Sequence, residues 1–533
     1  VRYTTRKSSP LLGGLLQEPV QSSNIDHELL EKFDREIWQK TPHLTQSSQI
    51  ANPTPLVDIT DALLEVAKKE YGLELSKSHA RVFAKFDSQI FGGSVKVRPA
   101  IEIARTAIVR GDLRRGQKIF EATSGNFGLA LGLLKSLGLD VIVLVSRKLQ
   151  AGVLDELKNE GVRSVNLDVD ICPAPGLKVD QNVIMAKAAA ANLRDQLIQL
   201  GLDSGIFDAA KNEVIGLLAK QDIINLAKLL AKVYNGFCPE QYDNVLNVKS
   251  HQDITAPEID QQLELQGLSL RDFGVITAFG TGGTSTGLAK HIQAKYGRKN
   301  IHVVFPLFYQ DVAGIRTRDK AAGLPFYQPD LYAGQHEVDF EAARRLLKFF
   351  AGRGYGIGES GALALYSCMQ MINYGVGSNF VVMIADGLQK YATNLEVAAE
   401  APDSLEVNLD EAKADPSRFD EVLWTHAMFA PKGEGIDLLA SSLGIDKSKV
   451  KIAKARDVQE LITREVVPDE LNGILPKGKS RTLLVCMVGG TSLRVAEVLA
   501  KKGIGAQSLT GGIMNLAQSA GKGPDDMVEV AVQ

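Results

Sequence analysis

A chain of 533 residues with 45% hydrophobic, 23% charged and 6% aromatic side chains is long enough for two or more cores, which excludes a single small module and wholesale disorder. Sixty Lys and Arg against 63 Asp and Glu leave a formal charge of -3, so no broad positive field exists to gather nucleic acid or anionic lipid. No apolar run nears the ~20 residues that a bilayer demands, and Cys172, Cys238, Cys368 and Cys486 show no C-x-x-C spacing for zinc or a redox dithiol.

A reducing, cytoplasmic setting is the simplest expectation. The first ten residues are basic, hydroxyl-rich and free of acids, and read either as an organelle-targeting stub (mitochondrial matrix or another organelle) or as an ordinary terminus. Residues 1–50 read as an extension with one amphipathic helix, HELLEKFDREIWQK over 27–40. From 51 to 400 helical segments alternate with short apolar strands: RVFAKF (81–86), KIFEA (118–122), DVIVLVS (140–146), GVITAFG (274–280), HVVFPL (302–307) and FVVMIAD (380–386). Strand then helix, repeated, predicts an α/β fold with a parallel sheet covered on both faces. An Ala/Leu/Lys-rich stretch over about 176–235 interrupts the rhythm as a helical insertion. The acidic, proline-containing stretch 401–417 is the expected linker, and 418–533 a second, smaller α/β domain with strand RTLLVC and helix LRVAEVLAKKG.

Three loops carry chemistry. Lys96 stands in Gly92-Gly93-Ser94-Val95-Lys96-Val97-Arg98-Pro99, where a helix begins. Partial desolvation and the positive helix end lower an amine's pKa there and make it nucleophilic toward an aldehyde; a solvated surface lysine is the bland alternative. Thr123-Ser124-Gly125-Asn126-Phe127-Gly128 follows KIFEA and opens a helix, which suits either an α-carboxylate or a plain N-capped turn. Gly280-Thr281-Gly282-Gly283-Thr284 runs from GVITAF into a helix, and its N–H groups and hydroxyls form a cradle for one phosphate. It is neither a Walker A loop nor a G-x-G-x-x-G fingerprint, so a nucleotide is not the favoured owner of that phosphate.

In this order the lysine, TSGN and GTGGT resemble the fold-type II pyridoxal 5'-phosphate enzymes, most closely the cysteine synthase and cystathionine β-synthase family. Asn52-Pro53-Thr54-Pro55-Leu56-Val57 resembles NTPLV. Gln241 to Ile259 resembles QFxNPxNxxxHxxTTGPEI, Gly358 to Ala362 resembles SSGA, and Ala385 to Tyr391 resembles PDGGxRY. The match covers roughly residues 50 to 395. It implies a tryptophan-synthase-β-like architecture of two subdomains with parallel sheets, pyridoxal phosphate as cofactor, and a homodimer. It also implies roles: Lys96 as aldimine lysine and proton-moving base, Asn126 on the cofactor's 3'-oxygen, and Gly280, Thr281, Gly282, Gly283 and Thr284 on its phosphate. Thr123, Ser124, Gly125 and Gln241 would take the substrate carboxylate, with Ser124 also beside the reacting centre. No metal is implied.

Two departures leave the reaction open. The acid that follows the family's lysine is Val97 here, and GIGESGA over 356–362 lets either Ser360 or Glu359 face the pyridine nitrogen. Ser360 implies β-replacement on an activated serine by a sulfur nucleophile; Glu359 implies an ammonia-lyase, since G-E-S-G-A also resembles diaminopropionate ammonia-lyase. A catalytically silent relative that binds a ligand in the cleft is the third reading. The insertion is expected to cap the substrate entrance. His251 reads as orienting the loop on the substrate side, and Arg316 and Arg318 as surface charges or as a grip on an anionic leaving group. Cys486-Met487-Val488-Gly489-Gly490-Thr491-Ser492, then Ser508-Leu509-Thr510-Gly511-Gly512-Ile513, resembles the active-site half of rhodanese-like domains. That resemblance makes Cys486 either a persulfide carrier and sulfur donor or a small buried core residue.

Overall fold

A computed structural model describes residues 25–38, 41, 53–75, 80–146, 151–167, 183–308, 310, 312–388, 405–426, 429–464, 466–475, 481–486, 489–522 and 524–530. The basic N-terminus, Asn52, Cys172, the 389–391 end of the PDGGxRY-like motif, residues 401–404 of the linker and Met487-Val488 lie outside these residues.

Strands β1 (Leu56–Asp58), β2 (Arg81–Phe86), β6 (Gly274–Ala278), β7 (Ile301–Pro306), β8 (Gly334–Val338) and β9 (Asn379–Ile384) form one sheet in the order β1-β2-β9-β6-β7-β8. All its pairs are parallel except β1 with β2. Side chains along a strand alternate between faces, and both faces of this sheet are buried. Val82, Ala84, Phe86, Ile276, Val304, Val382 and Ile384 join one core; Phe83, Val275, Val303, Phe305, Val381 and Met383 join the other.

A second parallel sheet, β3 (Lys118–Ala122), β4 (Asp140–Ser146) and β5 (Arg163–Leu167), obeys the same alternation. Ile119, Val141, Val143 and Val145 face helices α1 (Val97–Arg110) and α2 (Asn126–Gly132). Phe120, Ala122, Ile142, Leu144, Val165 and Leu167 face α3 (Val183–Gln199), α4 (Ser204–Ala219) and α5 (Ile223–Val233). Ala190, Leu193, Leu197, Leu218, Leu226 and Leu230 of this stretch are buried because they cover a sheet face, and no described residue of 183–233 lines the cavity beside Lys96.

Beyond this body, β10 (Glu406–Val407), β11 (Glu421–Trp424), β13 (Val450–Ile452), β14 (Thr482–Val485) and β15 (Ala506–Leu509) form a parallel sheet in the order β10-β15-β14-β11-β13. A separate antiparallel pair joins β12 (Phe429–Pro431) to β16 (Val528–Val530). The stretch 401–417, read as linker, therefore already belongs to this unit from Leu405 onward. β10 pairs with β15, and Leu409 and Ala412 sit in the core on a helix capped by Asn408 and Glu411. Acidic residues are outward-facing helix positions there, which composition alone does not separate from linker. The 27–40 helix ends at Glu36, with Leu29 and Phe33 buried against the body.

Candidate active site

Parallel strands expose their C-terminal ends to the loops that follow, and ligands of α/β sheets gather there. Here β3 and β6, from different sheets, deliver Thr123–Asn126 and Gly280–Thr284 to one cavity. It is lined by Lys96, Thr123, Ser124, Asn126, Gln241, Gly280, Thr281, Gly282, Thr284 and Ser360, among others. Residues predicted from three separate motifs thus meet; Gly125 and Gly283 shape the loops from behind the lining.

Lys96 enters on the turn before α1. The turn is tied to the end of β9 by the Val95 N–H to Ala385 oxygen bond (2.7 Å) and the Ser94–Asp386 bridge. Burial, and then the nearby charge of Arg316, lower the amine's pKa to about 8 against the opposing pull of Asp386. Two residues on, Arg98 anchors α1 from inside. It donates to Asp87 (2.9 and 2.8 Å), to Glu258 (2.8 Å) and to Thr54 (3.2 Å), while Lys85 donates to Glu258 and Gln262. All these charges are buried; despite burial, Arg98 holds the Asp87 carboxyl at about 2. This network was missed, because single charges scattered over 170 residues carry no local pattern.

In the TSGN loop Gly125 adopts φ 119°, a conformation suited to glycine, and opens α2. The Thr123 hydroxyl oxygen accepts from the N–H groups of Gly125 (3.0 Å) and Gly128 (3.3 Å), so it braces the loop as well as facing the cavity. Gln241 donates through its amide to the Ala122 oxygen (2.8 Å). Behind it, burial pushes the Glu121 carboxyl up to about 8. Asn126 donates to Asp386 (2.7 Å), which also accepts from Ser360 (3.4 Å). Asp386 appeared in the sequence only within a motif; its place at the centre of the site required the fold.

The GTGGT turn opens helix α6 (Gly283–Tyr296). Its glycines leave no room for a side chain: a Cβ on Gly280 would lie 2.8 Å from the Gly314 oxygen, and one on Gly283 would lie 2.0 Å from Asn247 Oδ1. Asn247 donates to Thr281 Oγ1 (3.0 Å) and to the Gln241 oxygen (2.7 Å), linking this turn to the opposite wall. His251 meets Thr284 (3.2 Å) through Nε2 and Thr255 (3.0 Å) through Nδ1. Burial, then Arg98 and Lys96, push its pKa down to about 3, so the ring beside the Thr284 hydroxyl is neutral and a weak proton acceptor. Its side-chain partners lie on the GTGGT turn and at Thr255, not on the TSGN loop. Glycines, hydroxyls and a helix N-terminus facing a low-pKa lysine fit a phosphorylated aldehyde.

Of the two candidates at the start of helix α7 (Glu359–Asn373), Ser360 lines the cavity and Glu359 does not; the Glu359 carboxylate accepts from the Ala313 N–H at 3.4 Å. Arg318 is half exposed and lies 3.7 Å from Glu337, a surface charge. Cys486 is buried in the C-terminal unit, outside this cavity, and its Sγ accepts from the N–H groups of Gly489 (3.1 Å) and Ser492 (3.4 Å) and from the Ser492 hydroxyl (3.3 Å). Among the described residues no helix is long and apolar enough to cross a membrane, and no cluster of His, Cys, Asp and Glu could hold a metal.

A family model described as pyridoxal-phosphate dependent enzyme matches residues 49–386. The chain is 26% identical to a cysteine synthase of a Flavobacterium species over 232 residues, 44% of this chain and 59% of that protein. It is 24% identical to a cysteine synthase of Staphylococcus aureus over 357 residues, 64% of this chain and 94% of that protein. Among solved structures it is similar to an O-ureido-L-serine synthase at 19% identity and a TM-score of 0.47, covering 66% of this chain and 94% of that one. An O-acetylserine dependent cystathionine beta-synthase from Helicobacter pylori matches at 20% identity and a TM-score of 0.46, over 64% of this chain and 94% of that one.

Proposed function

Because the chain belongs to the pyridoxal-phosphate dependent enzymes, we propose that it replaces the β-substituent of an activated serine with a sulfur nucleophile. The observation that carries this reading is that Ser360, and not Glu359, lines the cavity together with Lys96. A neutral hydroxyl there favours β-replacement over the ammonia-lyase reading, and relatives named cysteine synthases point the same way.

Lys96, Asn126, the Gly280–Thr284 turn and Ser360 would hold the cofactor, which supplies an electron sink for the pair left at the substrate Cα. Ser124, Thr123 and Gln241 would hold the carboxylate and so fix which Cα bond is presented. Lys96 Nζ, neutral in a large fraction near pH 8, takes the Cα proton and later returns it. The Cβ–X bond breaks with its electron pair on X, and the nucleophile forms the new Cβ–S bond. Incubation of the holoenzyme with O-acetylserine and sulfide is expected to yield cysteine; pyruvate and ammonia as sole products would contradict the reading.

For residues 418–533 the rhodanese-like reading is supported by a thiol at the end of β14 surrounded by donors from the following loop and helix. In this reading Cys486 carries a persulfide, and oxidation of two thiols to a disulfide releases its outer sulfur as sulfide for the replacement. Cys486→Ser is expected to abolish cysteine formation from a persulfide donor plus thiol while leaving turnover with free sulfide intact. Equal loss of both, or of neither, would contradict it. A homodimer is the expected assembly, measured by light scattering.

A further inference from the structure

One buried acid behind the cavity takes no part in the proposed reaction. Glu121 lies on β3, two residues before Thr123, and is 1% exposed. A carboxyl removed from water needs donors. Glu121 meets the N–H of Ala122 (2.9 Å), the N–H of Gln241 (3.3 Å) and the N–H of Glu240, which also faces Cys238 Sγ. The last two N–H groups flank the Cα of Glu240, so one carboxyl fixes the backbone on both sides of that residue.

Glu240 is where such a hold matters. The segment before it runs beside β3, with the Phe237 N–H donating to the Lys118 oxygen (2.8 Å) and the Phe120 N–H to the Phe237 oxygen (2.9 Å). It ends at a left-handed Glu240, φ 58°, a shape that a residue with a β-carbon keeps only where its surroundings enforce it. That shape turns the chain: the N–H groups of Asp243 and Asn244 donate to the Glu240 oxygen (2.9 and 2.8 Å). The turn delivers Gln241 to the cavity wall, where its amide donates to the Ala122 oxygen (2.8 Å) and its own oxygen accepts from Asn247 (2.7 Å). The Glu240 side chain points elsewhere, to Lys228 at 2.9 Å. Resting on the proposed function, in which Gln241 holds the substrate carboxylate, we propose that Glu121 is a positioning residue: by fixing the left-handed Glu240 it places Gln241 and so sets the affinity for an α-amino acid. A clasp held in place before the substrate arrives costs less to order on binding, and that gain is lost when the hold is released.

The test compares the wild-type holoenzyme with Glu121→Gln, Glu240→Val and Glu240→Gly. Kd for L-serine is read from the cofactor's absorbance, KM and kcat from O-acetylserine with sulfide, and pyridoxal phosphate affinity from fluorescence titration. Glu121→Gln keeps the size but turns an NH2 toward the N–H groups, and Glu240→Val resists the left-handed shape. Both are expected to raise Kd for serine and KM for O-acetylserine about tenfold or more, with kcat and cofactor affinity within about threefold of the wild type. Glu240→Gly loses the same Lys228 pair but takes the left-handed shape freely, and is expected to recover most of the Glu240→Val loss. Unchanged serine affinity in Glu121→Gln would overturn the proposal. Equal losses in Glu240→Val and Glu240→Gly would overturn it by putting the effect on the Lys228 pair, and these two variants decide the matter if Glu121→Gln does not fold. A parallel fall in cofactor affinity would overturn it by making Glu121 a brace for the whole cleft. If the wild type makes no cysteine while the serine affinities follow the expected pattern, the β-replacement reading falls and this proposal stands; cysteine formation without that pattern does the reverse. A wild type blind to serine and inert toward O-acetylserine brings down both.

Discussion

Lys96 loses its hydration inside the cavity, and a cation without water holds its proton less tightly. Its pKa near about 8, against 10.5 in water, makes the neutral amine abundant where an exposed lysine would be almost wholly charged. The sign is definite: protonation silences the amine, so in cofactor-free protein the rate of imine formation with pyridoxal phosphate is expected to rise through a midpoint near about pH 8. A stopped-flow pH series checks this, and a midpoint near 10 would contradict it. Lys96 was legible in the sequence because glycines and a helix start flank it within a few residues. His251 and Arg316 stood out in the sequence and Asp386 only within a motif, but their partners, Thr284, Tyr242 and Asn126, lie on elements far along the chain and became visible only in the fold.

Elements set the GTGGT turn. A side chain on Gly283 would strike Asn247, which ties Thr281 to the Gln241 wall. Gly283→Ala is therefore expected to weaken pyridoxal phosphate binding at least about tenfold, measured by titration of the cofactor, since it shifts two walls at once. The neighbouring packing of α1 depends on Arg98, and Arg98→Met would leave Asp87 and Glu258 as buried charges short of a partner. Urea unfolding is expected to show a loss of about 3–5 kcal/mol; a loss below about 1 kcal/mol would contradict the network's role. Strands β2, β3 and β4 matched their apolar runs to the residue, because burial on both faces makes these runs predominantly hydrophobic, even with Lys85 and Glu121 buried among them. Strands β5 (RSVNL) and β8 (GQHEV) went unread: they sit at sheet edges, where polar residues face outward and the pattern fades.

At the scale of the molecule, the C-terminal unit touches the body. Phe308, on the loop that also carries Gly314 and Arg316, packs against the core containing Trp424, and Arg344 of the body pairs with Glu406 of β10. The chain has two tryptophans, and Trp38 packs under Arg105 in the body. In a Trp38→Phe protein, fluorescence therefore reports Trp424 alone. Saturating pyridoxal phosphate stabilises the body by mass action, about 2.7 kcal/mol at a hundredfold excess over Kd. If the units unfold together, the Trp424 melting temperature rises with it; an unmoved Trp424 transition would show two independent units. The existence of this second unit was legible from RTLLVC and its helix, but its start at Leu405 was not, because β10 is only two residues long and follows a stretch of linker-like composition. The whole account turns on which nitrogen meets the cofactor. Borohydride reduction of the holoenzyme, followed by peptide mass spectrometry, is expected to find the pyridoxyl group on Lys96; an adduct on any other lysine, or none, would contradict it.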